Sequence, residues 1–195
     1  MQKLTDLQFY EECVKKGLTQ NNLNYYNLMN SLAHKIHMLA KPGQTVFEIG
    51  AGPGALVECL TNLGRDTMAI EPNIHFVEFY KKRTSNFFVS NIDLLQWLTI
   101  TDIDNDERLK MYGVAIESFE HMDDETLEMF FLMASDIFDG FLFSSTPQIT
   151  PNDEIWGHIN IKSEEEWIKL WDVAGFKLKM RHKTPTKWTL EFELK

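Results

Sequence analysis

Two glutamates and two histidines have the residue types and spacing to move a proton or to hold an ion. Glu117, Glu120 and His121 stand at positions i, i+3 and i+4, which share one face if that turn is helical. His158 lies further along the chain, in a predicted loop before the final helix. Histidine suits general-base catalysis near neutral pH because its unperturbed pKa is about 6.5.

The same four side chains could bind a divalent metal ion. Two carboxylates and two imidazoles suit Mg, Mn, Fe or Zn, and a bound ion would acidify a hydroxyl group. The alternative needs no metal: His158 acts as a base or contacts the substrate, and His121 packs locally. We favour the alternative, so a metal is compatible with the sequence but is not expected.

A glycine-rich segment, Gly50-Ala51-Gly52-Pro53-Gly54, separates a short β-rich stretch from a helical one. Glycine adopts backbone angles closed to other residues, and the helix beyond the loop offers free N–H groups to a ligand. Glu71 ends the next predicted strand, where a carboxylate can accept hydrogen bonds from both hydroxyls of a ribose. The spacing predicts a nucleoside-containing cofactor. Because Gly50, Gly52 and Ala55 also satisfy the dinucleotide fingerprint, NAD stays open at this point.

These segments must be positioned by a fold in which strands alternate with helices. The hydrophobic pattern predicts strands at 45–49, 67–70, 87–89, 111–116 and 137–143, and an antiparallel pair at 176–180 and 187–193. It predicts helices at 4–17, 21–40, 55–63, 74–83 and 163–173. Alternation of this kind indicates βαβ units around a parallel sheet, and therefore an α/β fold.

The motifs resemble those of class I S-adenosylmethionine-dependent methyltransferases. The segment 46–54, with Glu48 two residues before the first glycine, resembles motif I of that family. The segment 69–73 resembles motif II, and 90–93 resembles the part that reads the adenine. The segment 116–122 resembles the E-x-x-E-H stretch after the fourth strand. The resemblance runs from about residue 20 to the C-terminus, with the motifs in the family's order.

The resemblance implies a Rossmann-like, seven-stranded, mostly parallel sheet with an antiparallel C-terminal strand and helices on both faces. It implies S-adenosylmethionine as cofactor, with S-adenosylhomocysteine as product. Asn91 stands where the family more often has Asp. The predicted cofactor-binding residues are Tyr25, Glu48, Gly50, Ala51, Gly52, Gly54, Glu71, Pro72, Asn91, Ile92 and Glu117.

Methyl transfer to a hydroxyl or amine needs a deprotonated acceptor. The glutamates and histidines described first are the candidates for removing that proton. We predict His158, His121 and Glu117 as catalytic. Trp156, Trp167 and Trp171 are candidate walls of the acceptor pocket, although the i, i+4 spacing of Trp167 and Trp171 is more typical of the core. We expect one domain over residues 1–195, in which 1–42 form a helical lid and 43–195 the Rossmann-like core.

Charge and composition bear on the acceptor and on the location of the protein. The 195 residues carry a formal net charge of −10, which disfavours broad binding to nucleic acid and favours a small-molecule acceptor, methylated at oxygen or nitrogen. The chain has two cysteines, and no apolar stretch reaches the ~18 residues of a membrane span. We therefore expect a cytoplasmic protein without membrane contact, as a monomer or homodimer.

Three other interpretations remain open. The E-x-x-E-H arrangement with a later histidine resembles the metal-dependent 2′-O-methyltransferases of RNA 3′ ends, which would need a basic surface such as the Lys and Arg residues between 177 and 187. An NAD-dependent oxidoreductase would leave Glu48 and the Glu120-His121 segment without a role. A non-catalytic subunit could keep the fold and bind S-adenosylmethionine without turnover.

Overall fold

The computed structural model describes residues 4–84, 88–100, 111–145 and 153–195. Its strands are β1 Val46–Ile49, β2 Thr67–Ile70, β3 Val89–Ser90, β4 Met111–Ile116, β5 Phe138–Ser144, β6 Phe176–His182 and β7 Thr189–Leu194. Its helices are α1 Asp6–Lys15, α2 Leu23–Leu39, α3 Ala55–Asn62, α4 Ile74–Arg83, α5 Leu94–Ile100, α6 Asp124–Ile137, α7 Asp153–Trp156 and α8 Glu164–Val173. A short 3₁₀ helix, Phe119–His121, follows β4.

The strands form a single seven-stranded sheet in the order β3-β2-β1-β4-β5-β7-β6. Strands β1 to β5 pair in parallel, whereas β7 runs antiparallel to both β5 and β6. The predicted Rossmann-like sheet with an antiparallel C-terminal strand is confirmed. The strand order reverses at β1 and β4, and ligands of such sheets bind beyond the carboxyl ends of the strands at this point.

Helices cover both faces of the sheet. Because side chains alternate along a strand, Phe47 and Ile49 of β1 point into a core shared with α5, α6 and α8. That core is built around stacked and edge-on aromatic rings, with Trp171 fully buried among them. Val46 points to the opposite face, where it packs with side chains of α2 and α3.

Three helices were not predicted. Helix α6 could have been, because Leu127, Phe130, Phe131 and Ala134 are buried at helical spacing. Helix α5 has seven residues, and α7 has only four and lies where we predicted a loop. Elements this short carry too few periodic positions to stand out.

The two N-terminal helices have different positions. Helix α2 belongs to the core, since Leu32, Ala33 and Ile36 are buried against α3 and the sheet. Helix α1 lies near the carboxyl ends of the strands, where the Phe9 ring contacts the rings of Phe76, His121 and Trp156. The lid function of residues 1–42 stays a prediction. Helix α1 is better placed than α2 to serve as a lid, because it lies at the strand ends and α2 is part of the core. Across the described ranges, every helix falls short of the length and apolarity needed to cross a membrane.

Candidate active site

The glycine loop makes a tight turn between β1 and α3. Its three glycines have positive φ angles, which side chains rarely tolerate. A Cβ at Gly54 would lie 2.3 Å from the Tyr80 ring, and one at Gly50 would lie 2.6 Å from the Cβ of Ser118. A Cβ at Gly52 would meet nothing within 4 Å. Close packing thus explains two of the glycines, while the third leaves open space beside the backbone.

Glu71 reaches into this loop from the end of β2. Its Oε2 accepts a hydrogen bond from the Gly52 N–H at 2.7 Å, and its Oε1 accepts one from the Asn73 N–H at 2.8 Å. Burial raises the pKa of Glu71 to about 7, because desolvation outweighs the two N–H groups that favour the carboxylate. The predicted ribose-binding acid is therefore buried at the loop.

The raised pKa gives a testable dependence of stability on pH. A carboxyl that binds its proton more tightly in the folded state destabilises that state as pH rises through its folded pKa. Burial also raises the pKa of Glu120, to about 8. We expect the Tm of the cofactor-free protein to fall between about pH 5 and pH 8, and the fall to be smaller in Glu71→Gln. Thermal unfolding across this range measures both, and equal slopes in the two proteins would contradict the assignment.

Further buried polar atoms lie beside the loop without a hydrogen-bond partner among the described residues. They are Oε2 of Glu48 and Oε1 of Gln20. Burial raises the pKa of Glu48, and the neighbouring Glu71 carboxylate adds to the effect. Gln20 donates its Nε2 to the Pro53 carbonyl at 2.5 Å, although no motif had marked it. Burial raises the pKa of Tyr25, and so does its neighbour Glu48, so the predicted Tyr25 lies on this side of the site.

At the end of β3, Asn91 connects to the preceding strand. Its Nδ2 donates to the carbonyl oxygens of Glu71 and Pro72, at 3.0 and 2.9 Å. An aspartate could not donate these bonds, so the amide has a structural reason in this chain. Ile92, the next residue, is half-buried and packs against the core. In the glycine loop, the Ala51 N–H donates to the Ile70 carbonyl at the end of β2. The predicted cofactor residues after β1, β2 and β3 thus lie at adjacent strand ends.

Glu117, directly after β4, has a φ of +51°, the one positive φ of a non-glycine residue in the described segments. Its N–H donates to the Ser144 carbonyl at 2.8 Å, and its Oε1 accepts from the Ser144 hydroxyl at 2.5 Å. The helical turn predicted to start at Glu117 begins two residues later, at Phe119. Glu117 is therefore outside the turn and shares no helical face with Glu120 and His121, although its carboxyl group is hydrogen-bonded to that of Glu120.

The structure brings Glu120, His121 and His158 together. One potential ligand atom from each lies within 4.8 Å of the others, and Glu117 is not one of the three. The two imidazole centroids are 4.7 Å apart. Nδ1 of His158 lies 2.6 Å from a carboxylate oxygen of the buried Asp153, a partner that sequence reasoning missed. The pKa of Glu120 is raised first by burial and then by the charge of Glu117.

A cavity of about 270 Å³ opens between α1 and α7. The cavity is lined by Leu4, Glu12, Lys16, Ile155 and Trp156. Trp167 and Trp171 are buried core residues, as their i, i+4 spacing indicated, and do not line this cavity. Residues 146–152, which include the Thr-Pro pairs at 146–147 and 150–151, lie outside the described residues.

The fold is shared with solved methyltransferase structures. A methyltransferase from Archaeoglobus fulgidus, described as SAM-dependent, has a TM-score of 0.64 at 18% identity, covering 79% of this chain and 71% of that one. Magnesium protoporphyrin IX methyltransferase from Synechocystis PCC 6803, solved with bound SAM, has a TM-score of 0.60 at 14% identity, with 89% and 81% covered. A Haloferax volcanii complex of the Trm112 methyltransferase activator with a putative methyltransferase gives a TM-score of 0.63 at 13% identity, with 100% and 98% covered.

Fold and site together define a class I S-adenosylmethionine-dependent methyltransferase. Within that class, the model of the ribosomal RNA adenine dimethylase family matches residues 12–130, more than half of the sequence, and the chain belongs to that family. No curated protein sequence matches the chain. The predicted methyltransferase activity is confirmed, and the NAD-dependent alternative is set aside.

Proposed function

We propose that this methyltransferase transfers the methyl group of S-adenosylmethionine to an oxygen or nitrogen atom of a small-molecule acceptor. The observation that carries the proposal is the His158–Asp153 pair, at 2.6 Å, beside Glu120 and His121. A hydroxyl or ammonium acceptor must lose a proton before or during transfer, and an oriented imidazole at the end of β4 can take it.

The glycine loop and the end of β2 fit the nucleoside part of the cofactor. The open space beside Gly52 leaves room for a ligand against the backbone, and the Glu71 carboxylate can accept bonds from ribose hydroxyls. The unpaired buried oxygens of Glu48 and Gln20 are additional acceptors for a bound ligand. The remaining residues that we assign to this site are Tyr25, Gly50, Ala51, Gly54, Pro72, Asn91 and Ile92.

We assign Glu117 to the methionyl end of the cofactor. The neighbouring Ser118 packs against Gly50 and donates its hydroxyl to the Ile49 carbonyl at 3.1 Å, which ties the end of β4 to the glycine loop. A carboxylate at this junction is complementary to the α-ammonium group of S-adenosylmethionine. Glu117 thus contributes to affinity for the amino-acid part of the cofactor.

The protein's part in the reaction is alignment and removal of a proton. S-adenosylmethionine supplies an electrophilic methyl group, and the bond from carbon to sulfur is exchanged for a bond from carbon to the acceptor. The Asp153 carboxylate favours the His158 tautomer with the proton on Nδ1, so that Nε2 can accept the proton of the acceptor. His121 and Glu120 lie beside the His158 ring and restrict where the acceptor can sit.

The distribution of basic residues favours a small acceptor over RNA. Three of the five Lys and Arg residues between 177 and 187, which could have formed a basic track, are paired across β6, β7 and α8. The ion pairs are Lys177–Glu193 at 3.2 Å, Lys179–Glu191 at 2.8 Å and Arg181–Glu164 at 2.6 Å. Charges neutralised in this way attract phosphates weakly, and the chain as a whole carries a net charge of −10.

RNA is the second candidate acceptor, because the family model that the chain matches describes ribosomal RNA adenine dimethylase. The two candidates separate in one assay. We expect S-adenosylhomocysteine release from S-adenosylmethionine with at least one member of a panel of amines, phenols, sugars and carboxylates. Release with short RNAs alone would overturn the small-molecule proposal.

A divalent ion is a second candidate mechanism, since Glu120, His121 and His158 offer three ligand atoms within 4.8 Å of one another. If His158 acts as the base, we expect turnover to be unchanged within about two-fold by a chelator and by added Mn²⁺ or Mg²⁺. Initial rates with the active acceptor, before and after extensive chelation, test this. Activity that disappears on chelation and returns with one of these ions would assign the three residues to a metal instead.

A further inference from the structure

A chain of hydroxyl groups connects the C-terminal β-hairpin to Glu117. The Ser144 hydroxyl lies 2.5 Å from Oε1 of Glu117 and 2.9 Å from the Thr186 hydroxyl. The Trp188 N–H donates to the Thr186 hydroxyl at 3.2 Å. Ser144 is fully buried at the end of β5, and Thr186 lies in the turn between β6 and β7.

The direction of these hydrogen bonds follows from the chemistry of the groups. An ionised carboxylate can only accept hydrogen bonds, so the single hydroxyl proton of Ser144 is donated to Glu117. Ser144 can then only accept from Thr186, and Thr186 in turn accepts from the backbone N–H of Trp188. Each of the two hydroxyls therefore has one arrangement, and Ser144 supplies one donor to Glu117, beside the side-chain hydrogen bond between Glu117 and Glu120.

The turn that carries Thr186 is fixed on two sides. The fully buried Thr189 donates its hydroxyl to the Thr186 carbonyl at 2.9 Å and accepts from the Thr186 N–H at 3.3 Å. Nζ of Lys35, on α2, donates to the hydroxyl of Thr184 at 2.8 Å. The Thr186 hydroxyl therefore projects from a held backbone, as a positioning group requires.

Glu117 needs such support because its backbone is strained. A non-glycine residue at a φ of +51° persists only where the surroundings hold it. Ser144 holds Glu117 twice, by its carbonyl at the Glu117 N–H and by its hydroxyl at the carboxylate. A free Glu117 side chain could adopt other rotamers, whereas the held one has a fixed direction.

We propose that Ser144 and Thr186 are positioning residues, which hold the Glu117 carboxylate in place to bind the α-ammonium group of S-adenosylmethionine. The inference rests on the proposed function, in which Glu117 binds the methionyl end of the cofactor. It adds that the C-terminal hairpin determines affinity for that end, although no hairpin residue needs to touch the cofactor.

The test compares two ligands that differ only at the methionyl end. S-adenosylhomocysteine carries the α-ammonium, whereas methylthioadenosine keeps the nucleoside and the thioether without it. We expect Ser144→Ala to weaken S-adenosylhomocysteine about ten-fold and Thr186→Val about three-fold, with methylthioadenosine affinity unchanged in both. Thr186→Ser keeps the hydroxyl and should restore wild-type affinity. Glu117→Gln should reproduce the same selective loss.

A matched control separates this role from general stabilisation. Thr67→Val removes a buried hydroxyl that bonds to Thr61 at 2.9 Å, far from Glu117 in the sequence, and should change neither affinity. Equal weakening of both ligands in Thr186→Val would show that the hairpin supports the fold only. If Glu117→Gln is selective and Thr186→Val has no effect, the positioning role falls while the proposed cofactor site stands. If wild-type protein binds neither ligand, the proposed function itself fails.

Discussion

Replacing His158 with alanine lowers turnover by roughly 10²–10⁴-fold, the usual contribution of a general base, and changes S-adenosylhomocysteine affinity by less than about two-fold. The two effects separate because His158 lies with Asp153 and His121, beyond the end of β4, whereas the predicted nucleoside contacts follow β1, β2 and β3. Steady-state rates together with calorimetric titration of S-adenosylhomocysteine measure both.

Asp153→Asn tests the orientation of His158 separately from the presence of its imidazole. The amide is nearly isosteric but can present its NH₂ group to Nδ1 and so favour the wrong tautomer, and we expect a smaller loss of turnover than in His158→Ala. His34→Ala, on the exposed face of α2, is the control for removal of a histidine and should retain full activity. If cofactor affinity and turnover fall together in His158→Ala, His158 has a structural role and the base must be sought elsewhere.

Replacing Glu71 with glutamine weakens S-adenosylhomocysteine by about 100-fold, since hydrogen bonds to a buried charged group contribute ~1.5–3 kcal/mol each. Methylthioadenosine should weaken equally, because it keeps the ribose that Glu71 is proposed to bind. The glutamine also alters the contacts to Gly52 and Asn73, so the geometry of the glycine loop changes with it.

The control for Glu71 is Glu58→Gln, which changes a carboxylate on α3 that pairs with Arg83 at 3.3 Å. This variant should bind both ligands as the wild type does. A Glu71→Gln protein with unchanged affinity for both ligands would contradict the assignment of Glu71 to the ribose. If only the affinity for S-adenosylhomocysteine fell, Glu71 would be assigned to the methionyl end of the cofactor instead.

The fold was predictable because its strongest signals are local. The strand-turn-helix around Gly50 and the strand that ends at Glu71 each show their type within a few residues, and their order fixes a parallel sheet. The short helix α7 lacked such a signal, and it carries Asp153. The sequence indicated that His158 could act as a base, but not which residue would orient it.

The details of the site depend on contacts between distant segments, which sequence patterns do not record. Gln20 reaches the glycine loop only because the turn before α2 lies against Pro53. The spacing of Glu117, Glu120 and His121 is compatible with a helical turn, but Glu117 has a positive φ and contacts Ser144, far along the chain. Glu120 and His121 were marked by their motif, and their approach to His158 is accompanied by hydrogen bonds from the N–H groups of Ile159 and Asn160 to the Glu120 carbonyl.

The most direct test of the proposed function is to follow the methyl group itself. Methyl-labelled S-adenosylmethionine is incubated with the protein and a mixture of cellular small molecules and purified RNA, and the two fractions are then separated, with His158→Ala as the blank. The proposal predicts label in the small-molecule fraction, bound to oxygen or nitrogen, and none above the blank in RNA. Label confined to the RNA would contradict a small-molecule acceptor and would assign the protein the substrate class named in its family's description.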